Sequence, residues 1–389
     1  MIFMDMMKKP ATIVLLFLSL TLCSCSLLIP GKFTADTSQS LCQPAFPDKD
    51  GWYGGDGAYS VKLDGRRTLW LFGDTFVACP GWRNDRVDMD VVLGTTMGIS
   101  TCSTDNQFSI KYYLEHKDGK YVSSFSRDEW LWPQDPFIVN NVLYIPLIAI
   151  TPTNQEGEVF NFKVSGHKFA RVQDFSAADP REWSYDYVDL TSFLAPEISA
   201  FAATSVVHNN HVYFYPFYVN MKDNLSIFGN ILARIPSDKI NHPQGAIEYY
   251  TKEGSWEKVL KPENVKIVLD AGVSELSVRY HAADKKWIAV YMTIQNKGNQ
   301  LFYQTADQPE GPWSKPKALD VKVPEVDPQS PLYDQGNFCY AGKEHIEFSR
   351  DKNLVVTYVC NSSEDMQSQN SFLRRNLFLY RPVVRKISY

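Results

Sequence analysis

Apolar and polar residues alternate with a period of two along most of this chain, in short runs rich in Val, Ile, Tyr, Trp and Phe. Such runs read as half-buried β-strands, because successive side chains of a strand point to opposite faces. Strands of one design recur in pairs. The first pair spans residues 58–63 and 68–72 around the turn Asp64-Gly65-Arg66. The second begins at Asp135 and turns at Asn140-Asn141; the third begins at Thr204 and turns through 208–211. The fourth begins at Glu275 and turns through 281–286, and the fifth begins at Glu344 and turns through 349–353. Measured from Asp56, the starts fall at 56, 135, 204, 275 and 344, which is 79, 69, 71 and 69 residues apart. Self-similarity at a fixed period marks a repeat architecture. Small antiparallel sheets set around an axis keep their edges short and protected. The pattern therefore predicts an all-β fold: a five-bladed β-propeller with blades of about four antiparallel strands, a central funnel, and one domain over residues 46–389. A β-sandwich also supplies many short strands, but it gives no reason for equal repeats.

The first residues follow another pattern. Lys8 and Lys9 precede an apolar run over 11–22, which suits a signal h-region and is short for a membrane span. Cys23 and Cys25 follow, in a stretch that resembles a bacterial lipoprotein box. Ser24 before Cys25 favours Cys25 as the lipidated residue over Cys23, which follows Leu22. Residues 1–24 are thus expected to be a lipoprotein signal peptide, and 25–45, with Pro30, Gly31, Ser38 and Ser40, a tether. This places the mature protein in the bacterial cell envelope, on the outer membrane or cell surface, or else secreted. Its contact with membrane would be the lipid anchor only.

Charge narrows the partners. The chain carries a formal −5, and loss of residues 1–24 removes two Lys and one Asp to leave −6. The basic residues are scattered, so nucleic acid is not an expected partner. Aromatic residues make up 14% and charged residues 21%, which suits a filled core and an aromatic-lined groove. An exported chain can form disulfides. Cys339 and Cys360 flank one hairpin, and Cys79 and Cys102 flank another pair of segments, which would leave Cys42 over; spacing alone leaves the pairing open.

The candidate chemistry gathers at strand starts. Asp56 precedes the first strand of its hairpin and Asp74 follows the second, each beside glycine, so a hairpin brings together two acids 18 residues apart. In a propeller the starts of the inner strands share one funnel. Those starts are Asp56, Asp135, Thr204 or Ser205, Glu275, and Glu344 or His345. Carboxyl groups converging in a cleft are what glycosidic bond cleavage needs: one to protonate the leaving oxygen, one to act opposite it. Crowding like charges keeps one of them protonated near neutrality. Arg279 shares a strand face with Glu275 and Ser277, and either binds hydroxyls or forms a structural ion pair. Lys343 and His345, beside Glu344 and Glu347, either bind sugar hydroxyls or sit on a surface hairpin. His208 and His211 flank a turn and read as exposed, not as metal ligands. Trp130, Trp132, Tyr53 and Trp82 either stack on sugars or pack between blades. No nucleophile elbow, phosphate-cradling loop or His-Glu-x-x-His occurs, and no metal or other cofactor is expected.

Gly54-Gly-Asp-Gly-Ala-Tyr-Ser60 together with Leu69-Trp-Leu-Phe-Gly-Asp-Thr-Phe76 resembles the opening signature of a bacterial propeller family formerly of unknown function. Its characterised members are endo-D-arabinanases acting on mycobacterial arabinan. Trp130-Leu-Trp-Pro-Gln-Asp135, Glu275-Leu-Ser-Val-Arg-Tyr280 and Tyr340-Ala-Gly-Lys-Glu-His345 extend the resemblance, which covers about residues 50–382. Ala306-Asp-Gln-Pro-Glu-Gly-Pro-Trp313 is similar to a turn of the more distant α-L-arabinanase-like propellers. Ile346 departs from the family pattern, where proline commonly follows the histidine. The resemblance implies a glycoside hydrolase with Asp56 and Asp74 as catalytic pair; the α-L-arabinanase-like scheme would instead use Asp56, Asp135 and Glu275. The expectation is a monomeric, lipid-anchored hydrolase of a polysaccharide or oligosaccharide, with arabinan-like furanosides favoured. Asp135, Glu275, Arg279, Lys343 and His345 would bind substrate. The alternative is a non-catalytic glycan-binding or adhesion lipoprotein on the same scaffold.

Overall fold

Paired asparagines make the tightest turns. Asn140, Asn141, Asn209 and Asn210 have φ of 51°, 60°, 46° and 61°. A two-residue hairpin loop needs this left-handed backbone to match the twist of its strands. The loops join Phe137–Val139 to Val142–Pro152 and Ser205–His208 to His211–Phe214. The computed structural model describes residues 42–82, 85–126, 128–153, 162–221, 227–293, 299–363 and 371–389. The expected leader, the lipidation site Cys25 and most of the tether lie outside the described residues.

The protein is all-β. Among the described residues the one α-helix is Phe372–Arg375. Among the described residues the strands form eight antiparallel sheets, and five of these, taken in chain order, open on an expected hairpin or its neighbour. The first runs Tyr59–Lys62, Arg67–Phe72, Thr96–Cys102, Phe108–Tyr113. In the second, Trp130–Pro133 and Phe137–Val139 both pair with Val142–Pro152, which continues to Phe162–Val172 and Tyr185–Asp189. The third opens on Ser205–His208 and the fourth on Leu276–His281. The fifth has three strands, Asn337–Glu344, Asn353–Ser362 and Val383–Ser388. Its first strand ends at Glu344, where the sequence put its start, and residues 346–348 form a turn; a bulge between Tyr340 and Lys343, with Ala341 at φ 56°, breaks the alternation. A small extra sheet, Trp52–Gly55, Thr75–Val77 and Asp90–Val92, extends the base of the first hairpin.

Apolar layers separate successive sheets. Leu69 and Leu71 of the first meet Leu143 and Ile145 of the second, and Phe137 and Phe169 meet Val212 and Phe214 of the third. Tyr213 and Tyr215 pack with Val278 and Tyr291, and Ile288 and Val290 with Leu354 and Val356. The fifth sheet then shares Val355 and the neighbouring Phe348 with Trp70 and Phe72 of the first. Each such buried side chain contributes about 1.5–3 kcal/mol.

Covalent ties differ in part from the expected ones. Cys339 and Cys360 stand opposite each other in register and are bonded. Cys102 bonds Cys42, not Cys79. Cys102 ends a strand of the first sheet where the start of the folded chain passes, with Phe46 against Trp70 and Phe108. Cys79 follows a strand of the separate small sheet and is free and exposed.

Candidate active site

The first hairpin closes on its two acids. Asp56 N–H donates to the Asp74 carbonyl at 3.0 Å, and Gly73 N–H donates to the Asp56 carbonyl at 2.7 Å. The backbones approach closely here: a Cβ on Gly73 would stand 3.2 Å from the Asp56 Cβ. Gly57, at φ 58°, opens the other side: its Cβ would meet Glu275 Oε1 at 3.2 Å and Lys343 Nζ at 3.8 Å. Asp56, Asp74, Glu275 and Lys343 thus come from three sheets into one neighbourhood.

The two aspartates are held differently. Asp56 is half-buried and accepts a 2.6 Å hydrogen bond at Oδ1 from the Tyr340 hydroxyl, which Asn361 Nδ2 contacts at 3.3 Å. Burial, then the charges of Glu275 and Asp74, raise its carboxyl to about 7, against the opposing pull of Tyr340 and Lys343. Asp74 is 5% exposed. Its Oδ1 accepts from Gly94 N–H at 2.6 Å and from the indoles of Trp130 at 2.8 Å and Trp132 at 2.9 Å. Burial raises it to about 6 even though these three donors favour the anion.

Lys343 is 2% exposed. Its ammonium lies 3.6 Å above the Tyr59 ring and 3.8 Å from Glu275 Oε1, and makes no hydrogen bond among the described residues. Burial lowers its pKa, opposed by Glu275, Asp135 and Asp56. The bulge puts Lys343 at the site, whereas Glu344, offered with His345 as the fifth funnel residue, turns away to His281 at 3.0 Å.

Asp135 and Arg279 occupy each other. Arg279 Nη2 donates to both Asp135 oxygens at 2.9 and 3.0 Å, and Thr204 Oγ1 and Ser205 N–H donate to Asp135 Oδ2 at 2.7 and 2.8 Å. His345 is buried in a polar wire. Thr357 Oγ1 and Ser60 Oγ lie 2.7 Å from its Nε2 and Nδ1, and Ser60 donates to Glu347 Oε2 at 3.0 Å. These bonds require Nδ1–H to donate to Ser60, and burial holds the ring neutral, far below the usual histidine range. Tyr340, Tyr59 and Gly94 were not anticipated as site residues; Tyr340 stands in the quoted stretch around Lys343, and that adjacency was the available signal. Trp130 and Trp132 stand in the site as hydrogen-bond donors.

A family model described as Domain of unknown function (DUF5005) matches residues 43–388. The chain belongs to the DUF5005 family. That description names no activity. No curated protein matches this DUF5005 chain in sequence. The crystal structure of a candidate hydrolase from Bacteroides ovatus superposes with TM-score 0.64 and 16% identity, over 87% of this chain and 86% of that one. At that identity the likeness is one of fold. An exo-1,5-α-L-arabinanase from a bovine ruminal metagenomic library is similar more loosely, with TM-score 0.44 and 9% identity over 87% and 95% of the two chains. A GH43_1 enzyme from Xanthomonas citri, solved with xylotriose, has TM-score 0.41 and 11% identity over 79% and 82%.

Proposed function

We propose that the protein is a five-bladed propeller glycoside hydrolase, exported and lipid-anchored through Cys25, that cleaves a polysaccharide of arabinan-like furanosides. The blade count is supported by the cyclic order of the apolar layers, in which the fifth sheet meets the first. One observation carries the activity: two carboxyls at one hairpin base, raised to about 7 and about 6, beside a third from Glu275. A pair so tuned holds one proton near neutrality, as an acid and a base acting on one glycosidic bond require. Asp56, with the higher value and the more open position, serves as the acid. Asp74 serves as the base: its donors converge on Oδ1 and leave Oδ2 for chemistry.

Glu275 is a second candidate for Asp74's role, and one observation favours it. After burial, Glu275 is the largest influence on Asp56, and its side chain is 20% exposed. Three single variants separate the assignments on arabinan, arabinogalactan and related cell-wall polymers. Asp56→Asn and Asp74→Asn are expected to lower kcat/KM by about a thousandfold or more without lowering the melting temperature, and Glu275→Gln to cost less. The wild-type profile should be bell-shaped, with limbs near the two raised values. Full activity in Asp56→Asn would sink the reading, and binding without any product would point to the non-catalytic alternative.

A further inference from the structure

A groove of about 270 Å³ lies behind the donors that hold Asp74, with Leu93, Ser123, Ser126, Asp128, Glu129 and Trp130 among its walls. Two contacts tie it to Asp74. Trp130 lines the groove and donates its indole N–H to Asp74 Oδ1 at 2.8 Å. Gly94, next to Leu93, donates its N–H to the same oxygen at 2.6 Å, and a Cβ on Gly94 would lie 2.6 Å from Ser123 Oγ. Two of the three donors that fix Asp74 are thus a wall of the groove or directly behind one. Leu93 meanwhile leaves 41% of its surface exposed.

We propose that this groove is a distal subsite holding one sugar residue of a bound, uncharged glycan chain; the proposal rests on the glycoside hydrolase reading above. Its volume is near the lower end of small-ligand sites, about 300 Å³, enough for a single ring. Trp130 and Leu93 offer apolar surface for the C–H face of the ring, and Ser126, Asp128 and Glu129 offer oxygens for its hydroxyls. Lys168 pairs with Glu129 at 2.7 Å, and Asp128 makes no ion pair among the described residues. Asp128 puts a negative charge on the wall, which disfavours a uronate or phosphorylated chain. A ring seated against Trp130 also presses on the donor that orients Asp74, so a chain long enough to fill the groove steadies the carboxylate.

Binding is read without turnover in full-length Asp56→Asn protein, by calorimetry. The probes are linear arabino-oligosaccharides of increasing length, soluble arabinogalactan, and polygalacturonate as the charged chain. Affinity is expected to rise with length, and polygalacturonate to stay unbound. Adding Leu93→Asp should weaken the longest neutral chain about tenfold and the shortest much less. Val259→Asp, at a position 61% exposed and outside both sites, serves as the control for an added surface charge. Length-dependent binding that Leu93→Asp leaves intact, or tight binding of polygalacturonate, overturns the subsite while leaving the hydrolase reading standing. Failure of every neutral chain to bind overturns the glycan reading and the subsite together.

Discussion

Tyr340 sets how readily Asp56 gives up its proton. Its hydroxyl donates to Asp56 Oδ1 at 2.6 Å, and a donor to a carboxylate stabilises the ionised form. This bond and Lys343 oppose burial and the neighbouring acids, and the balance stands at about 7. In Tyr340→Phe the ring and its stacking on Phe338 are kept while the donor is lost. The sign follows directly: the anion loses stabilisation, the acid form gains, and the Asp56 carboxyl moves further up. A hydrogen bond to a charged group is worth about 1.5–3 kcal/mol net, so the rise should be about one pH unit or somewhat more. Carboxyl carbon NMR titration reads it without any substrate, and the alkaline limb of kcat/KM should shift in the same direction. An Asp56 carboxyl that titrates where it did, or lower, would mean that Tyr340 does not carry this bond in solution.

Between elements, the Asp135–Arg279 pair rivets sheets that the chain visits far apart. Arg279 lies on the first strand of the fourth sheet and also donates to Thr204 Oγ1 at 3.0 Å, at the start of the third. Removing one member of a buried pair strands the other's charge, which costs about 3–5 kcal/mol. Arg279→Met is therefore expected to lose roughly that much in urea denaturation, and Asp135→Leu added to it to recover most of the loss; a single variant as stable as wild type would refute the rivet. The same contrast explains what could be read beforehand. Asp56 and Asp74 meet because one hairpin closes, and alternation plus a glycine turn encode that locally. The hold on Asp135 comes from Arg279, 144 residues away, and no local pattern reports it. The fifth sheet failed differently. Its bulge shifts the strand against the period, and a shift of one position exchanges the faces of every residue beyond it. Lys343 therefore stands over Tyr59 while Glu344 pairs with His281, the reverse of what strict alternation suggests.

In the molecule as a whole, buried arginines fasten the first part of the folded chain to its last part. Arg86 is fully buried and donates to the carbonyls of Tyr53 at 2.9 Å, Leu379 at 2.7 Å and Leu377 at 3.3 Å. Arg374 answers from the other end, donating to the carbonyls of Arg86 and Met89, both at 2.7 Å. Phe76 lies beneath both guanidiniums, at 4.9 and 5.2 Å. Burial lowers Arg86 to about 9, so it keeps its charge at neutral pH. Arg86→Met keeps much of the volume but leaves three carbonyls without that donor, at about 1–3 kcal/mol for each one left unsatisfied. The loss should be local before it is global, because the last strand, Val383–Ser388, reaches the fold through Leu377 and Leu379. Hydrogen exchange in Arg86→Met should therefore rise first at Val383–Ser388 and its partner Asn353–Ser362, while the interface between the second and third sheets stays protected. Uniform acceleration across all the sheets would instead place the fastening elsewhere, and protection at Val383–Ser388 equal to wild type would remove Arg86 from it altogether.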